Sequence, residues 1–151
     1  MPAIKKILFP VDLSENSQKI VSYVITMAQA FNAEVQILFV ARVFEHYANL
    51  CDPPIVITNF QEGIARGAKR RLEEFSKEFF EGSCSYQTKL LTGDPSREIV
   101  KHIESEGFDL VIIGSHGRKG LDHILFGSVA DHVVKMSPVP VLSVNPYRTG
   151  P

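Results

Sequence analysis

The sequence predicts an α/β fold: one domain built on a doubly wound, five-stranded, mostly parallel sheet. Three observations carry that reading. Strand-like apolar runs alternate with helical periodicity in the order βαβαβαβαβ. The run Asp109-Leu-Val-Ile-Ile113 is continuously apolar, as a strand covered on both faces requires. The chain has 151 residues, enough to bury a core without disulfides or structural metal, so the expected unit is a single domain over residues 1–151.

Each element follows from its residues. Ile4 to Phe9 is β-rich and stops at Pro10, a strand-end residue. Ser14 is placed to cap a helix whose inner face is Ile20, Val21, Val24, Ile25, Ala28 and Phe31, and Asn32 ends it. Glu34 to Val40 reads as a buried second strand. Ala41 to Thr58 contains Pro53 and Pro54 and has no steady period, so it reads as a mobile connection. From Asn59 a long amphipathic helix carries Phe60, Ile64, Ala68, Leu72, Phe75 and Phe79 at spacings of three and four. Its charged residues form a solvated face.

Gly82 breaks that helix, and Ser85 to Leu91 alternates as a strand. Asp94-Pro95 starts the next helix, with Asp94 as cap and Pro95 at the first helical position. Ile99, Val100 and Ile103 line its inner face, and Gly107 stops it. The strand to Ile113 runs into a glycine loop. A last helix follows with Val129, Ala130, Val133 and Val134 inward, and Val139 to Val144 closes the chain as a strand.

Composition narrows the function. There are 16 Lys and Arg against 17 Asp and Glu, a net charge of -1, so no global positive field gathers nucleic acid or an acidic membrane. Cys51 and Cys84 are far apart and form no CxxC pair, which gives neither a disulfide framework nor a zinc site. No signal-peptide pattern and no apolar run of membrane-spanning length is present, so the expected location is cytoplasmic.

In an open parallel sheet, ligands bind beyond the carboxyl ends of the strands, where the strand order reverses. Three such ends stand out: Pro10-Val11-Asp12, Val40, and Gly114-Ser-His-Gly117-Arg-Lys-Gly120, the last leading on to Gly127-Ser128. Phosphate oxygens need several N–H donors converging on one point, and glycine lets the backbone approach without a side chain in the way. Gly127-Ser128 is read as a helix start, whose free N–H groups would add to the cradle. Taken alone, Asp12 reads equally as a turn or helix cap. His116 reads as a spacer or hydrogen-bond donor in a polar loop. Arg118 and Lys119 either neutralise phosphate or point to water.

Gly114, Gly117, Gly127 and Ser128 fit the spacing G-x2-G-x9-G-[S/T]. With glycine at about 7% of residues, chance supplies such a match in roughly 1% of chains of this size or fewer. The spacing resembles the ATP-binding signature of the universal stress protein family. That resemblance extends over nearly the whole chain, from KILFPVDLSENS to SPVPVLSV. It implies a Rossmann-like, adenine nucleotide alpha hydrolase-like sheet of strand order 3-2-1-4-5, with ATP at the switch point between the first and fourth strands. Asp12 would then bond the ribose, Pro10 and Val11 would wall the nucleoside pocket, and the Val40 backbone would meet the adenine edge. Gly114, His116, Gly117 and Arg118 would wrap the phosphates from one side, and Gly127, Ser128 and Val129 from the other. Magnesium or manganese would ride on the phosphates, with no dedicated protein ligands. The family also implies stress-response regulation and a homodimer through Val139 to Val144, with an unidentified protein partner.

Two other readings compete with a nucleotide-controlled regulatory module. An enzyme would need a positioned base and cationic stabilisation. The chain has no GxxxxGK[ST] and no GxGxxG, so at most slow ATP hydrolysis is expected and no catalytic residue is assigned. A nucleotide-independent dimeric scaffold is the other. A phosphoacceptor domain is disfavoured, because Asp94 already serves as a cap and the fifth strand lacks a following helix.

Overall fold

The computed structural model describes residues 2–42, 54–116 and 121–148, with only the backbone described over 54–61 and 121–126. The elements run β1 (Lys6–Val11), α1 (Glu15–Phe31), β2 (Glu34–Ala41), α2 (Pro54–Phe80), β3 (Tyr86–Thr92), α3 (Pro95–Glu106), β4 (Leu110–Gly114), α4 (Leu121–Met136) and β5 (Val141–Val144). All the strands pair in parallel in the order β3-β2-β1-β4-β5.

Side-chain alternation along the strands divides the core into two layers. Ile7, Phe9, Val35, Ile37, Leu110 and Ile112 pack under α1 and α2 with Ile20, Val24, Leu72 and Phe80. Leu8, Leu38, Val111 and Ile113 face the other way, onto Ile99 and Ile103 of α3 and Val129 and Val133 of α4. Burial of a strand on both faces explains the unbroken apolar runs.

The seam between β1 and β4 differs from the rest of the sheet. Lys6 to Val11 all pair with β2, whereas toward β4 the register is limited to Ile7↔Leu110 and Leu8↔Val111. At its amino end the seam is fastened by Asp109. The carboxylate accepts from the Lys5 and Lys6 N–H groups at 2.8 and 2.9 Å, and the Asp109 N–H donates to the Lys6 carbonyl at 2.9 Å. Among the described residues, no register pair joins β1 to β4 beyond Leu8 and Val111, and it is at the carboxyl ends of these strands, where the order reverses, that an open parallel sheet has its switch-point crevice.

Several boundaries differ from the sequence expectation. Strand β1 runs through Pro10, which sits opposite Leu38. The Lys5 carbonyl bonds β2 and the Lys6 carbonyl bonds β4, so backbone alternation turns Pro10 toward β4, past the end of their pairing. A missing N–H costs no ladder bond there. Helix α2 begins at Pro54, not Asn59. Proline at a first helical position loses only an N–H that would lack a helical partner. Of the expected connection, Ala41 belongs to β2 and Pro54 to Thr58 belong to α2, while residues 43–53, with Cys51, lie outside the described residues. Helix α4 begins at Leu121, so Gly127 and Ser128 are in its second turn and not at its start. Val134 is half exposed and Phe31 is 38% exposed, although both fit an inward periodicity. Strand β5 is shorter than expected, beginning at Val141.

Local signals at α3 hold. The Asp94 side chain accepts from the Arg97 N–H at 3.2 Å, Pro95 follows it, and Gly107 ends the helix in the left-handed region. Asn32 does the same for α1 at φ 51°.

Candidate functional site

Of the expected site residues, Pro10, Val11, Asp12, Val40, Gly114 and His116 lie at the carboxyl ends of β1, β2 and β4, and Gly127 of α4 comes close to Ser115 beyond β4. At the exit of β1, Asp12 Oδ1 accepts from the Ser14 N–H at 3.0 Å, from the Ser14 hydroxyl, and from the Ser17 hydroxyl at 2.6 Å. The Asp12 N–H in turn donates to Ser17 Oγ at 3.1 Å. These bonds wind the chain into α1 and place the carboxylate beside the helix start, where the dipole favours negative charge. Oδ2 takes no hydrogen bond among the described residues. The turn reading of Asp12 is met by Oδ1 alone.

Ser14 is the N-cap residue by backbone geometry, but its side chain makes no cap bond, because its hydroxyl is turned to Asp12. Leu13 between them is held at φ 61°, a left-handed conformation costing about 1–2 kcal/mol for a residue with a Cβ.

Pro10 and Val11 are buried under the floor of the crevice. The last β1–β2 register pair is Val11↔Phe39, and backbone alternation turns the Val40 N–H and C=O toward β1. The Val40 carbonyl thus points past the end of the ladder, as an acceptor at the crevice edge.

The β4 side supplies donors and close backbone. The Val111 and Ser115 N–H groups both bond to β5, so alternation turns the Gly114 N–H toward β1, into the gap. A Cβ on Gly114 would fall 2.4 Å from Ile20 Cδ1, so the buried Ile20 side chain would have to shift to admit one. Gly127 lies behind this turn, and a Cβ there would come 3.2 Å from the Ser115 carbonyl. Glycine at 127 therefore serves a close approach of α4 to the loop, and not a free helix start. Ser128 is exposed, whereas the Val129 side chain is buried in the core and does not line the crevice. Gly117, Arg118 and Lys119 lie outside the described residues.

His116 Nδ1 is 2.8 Å from Ser115 Oγ, and its ring meets Tyr147 edge-on at 5.1 Å between centroids. Tyr147, Asn16 and Ser17 were not among the expected site residues. Serines at two and five positions after Asp12 are a local signal that could have flagged Ser17. Nothing local marks Tyr147, whose hydroxyl accepts from Asn16 Nδ2 at 3.2 Å across 131 positions of sequence. Among the described residues, no three His, Cys, Asp or Glu side chains cluster to hold a metal, and no helix is long and apolar enough to cross a membrane.

Comparison with known proteins agrees with this geometry. Residues 3–145 match the sequence profile of the universal stress protein family. Universal stress protein MJ0577 of Methanocaldococcus jannaschii is 32% identical over 152 residues, spanning 93% of this chain and 94% of that protein. Its solved structure has a TM-score of 0.79 at 33% identity, covering 95% of this chain and 97% of its own. The same fold occurs in a universal stress protein in complex with cAMP, with TM-score 0.61, 22% identity and coverage of 96% and 99%. It occurs again in the Archaeoglobus fulgidus protein in complex with dAMP, with TM-score 0.65, 18% identity and coverage of 95% and 100%. The sheet order, the crevice and the matched length agree, and this chain belongs to the universal stress protein family.

Proposed function

We propose that this protein binds ATP in the crevice between β1 and β4 and acts as a nucleotide-responsive regulatory module of the stress response. The observation that carries the reading is the meeting of the two glycine clusters. Gly127 of α4 backs onto the Ser115 carbonyl, one residue from Gly114, and at the exit of β1, the strand next to β4, the Asp12 carboxylate has one oxygen without a hydrogen bond among the described residues. The cAMP and dAMP complexes of relatives support an adenine nucleotide as occupant.

In this reading Asp12 Oδ2 accepts a ribose hydroxyl and the Val40 carbonyl accepts from the adenine amino group. Pro10 and Val11 support the nucleoside, and the Gly114 N–H donates toward the phosphates. His116, Gly117 and Arg118 form the loop side of the cradle, with Gly127, Ser128 and Val129 behind it. The chain has no GxxxxGK[ST] loop to position and stabilise the transferring phosphoryl group, so hydrolysis is at most slow. Magnesium or manganese enters on the phosphates. The protein works in the cytoplasm as a homodimer through its C-terminal edge.

The test is titration calorimetry of ATP with magnesium into the native protein and Gly127→Val. Saturable micromolar binding by the native protein, lost in the variant, is expected. Thermal melts of both separate loss of the site from loss of the fold. A folded native protein that takes up no ATP would move the function to a nucleotide-independent scaffold.

A further inference from the structure

After β5 the chain makes a tight turn at Asn145. Its Oδ1 accepts from the Tyr147 N–H at 3.0 Å, and its carbonyl accepts from the Arg148 N–H at 3.1 Å. This turn returns Tyr147 over the carboxyl end of the sheet. There the ring meets His116 on the β4 exit, and the hydroxyl is held by Asn16 in the first turn of α1. Asn16 is 3% exposed, so its amide is a fixed anchor rather than a surface group. Lys19, one turn on, places its ammonium 5.6 Å from the centre of the same ring and has no ion-pair partner among the described residues.

Tyr147 thus bridges the first turn of α1 and the exit of β4, through Asn16 and His116. We propose that Tyr147 is a positioning residue for the phosphate side of the site, acting through His116. The inference rests on the nucleotide reading above. The His116 imidazole is gripped by Ser115 Oγ at Nδ1 and by the Tyr147 ring. A ring restrained in this way has surrendered its rotational freedom before ligand arrives, so less is lost on binding. Lys19 adds positive charge on the side where the phosphates would lie.

The experiment titrates ATP with magnesium, and separately adenosine, into the native protein, Tyr147→Ala and Tyr147→Phe. Tyr147→Ala is repeated in a His116→Ala background. Tyr147 is 45% exposed, so the substitutions leave the core intact. Tyr147→Ala is expected to weaken ATP about tenfold and to change adenosine less than about twofold. Tyr147→Phe keeps the ring against His116 and retains most of the affinity. In the His116→Ala background the tyrosine change has no further effect, as expected of two residues acting as one unit. Equal losses for ATP and adenosine, additive losses in the double variant, or ATP binding unaffected by Tyr147→Ala would each overturn the inference and leave the nucleotide reading standing. A native protein that binds neither compound removes both.

Discussion

His102 and Gln36 are the buried polar pair of the sheet's second layer, with His102 Nε2 against Gln36 Oε1 and the imidazole ring beside Phe108. Burial pushes the His102 pKa below its ordinary value. Glu106 opposes that shift, while Lys89 and Lys6 add to it. A depressed folded-state value means that the unfolded chain takes up the proton first. Stability is therefore complete above about pH 6.5 and declines as pH falls through the lower folded-state value. Thermal melts across this range are expected to show that decline in the native protein and a flatter profile in His102→Gln. Equal slopes in the two would assign the acid sensitivity to carboxylates instead. Residue chemistry was legible in the sequence where it is local. Asp12 and Asp94 carry their roles within five positions of themselves. Partners such as Gln36 and His102, 66 positions apart, or Asn16 and Tyr147 share no local pattern, so only the fold reveals them.

Among the elements, α2 shows how periodicity can misassign an anchor. Spacing selects Phe79, yet Phe80 is fully buried and packs against Phe9 at 6.0 Å and Tyr86 at 6.1 Å between ring centroids, while Phe79 is partly buried. A long helix crossing two strands cannot keep one ideal face inward to its last turn, and its end is set by the strands beneath. Phe80→Ala is expected to lower the unfolding free energy by about 3–5 kcal/mol, read from urea unfolding. A loss below about 1 kcal/mol would mean that the end of α2 repacks, so Phe80 does not anchor it. Element order and type were readable because β1, β2 and β4 are apolar runs buried on both faces and the helices between the strands carry buried residues at spacings of three and four. The start of α2 was not, because a double proline signals both a loop and a first helical turn. The start of α4 was not, because Gly127 reads as a helix opening when its place is set by the Ser115 carbonyl behind it.

At the scale of the whole molecule, β5 lies at one edge of the sheet. Val144 and Pro140 carbonyls accept from β4, so alternation points the backbone groups of Val141 and Ser143 outward. Nearby apolar side chains are incompletely covered, with Leu142 and Val141 partly buried and Val134 and Met136 half exposed. Such an edge invites pairing with a second copy. Ser143→Pro removes an outward donor and leaves the ladder to β4 in place. Sedimentation is expected to give a dimer mass for the native protein and a monomer mass for the variant. A native monomer at all concentrations would rule out this assembly. The seam described between β1 and β4 has a mechanical side as well. The register there has two pairs, against six between β1 and β2 and four between β4 and β5, and Asp109 fastens its amino end. An occupant touching both β1 and β4 would bridge the most sparsely paired seam of the sheet. Its binding energy then adds to the resistance of the whole sheet to unfolding.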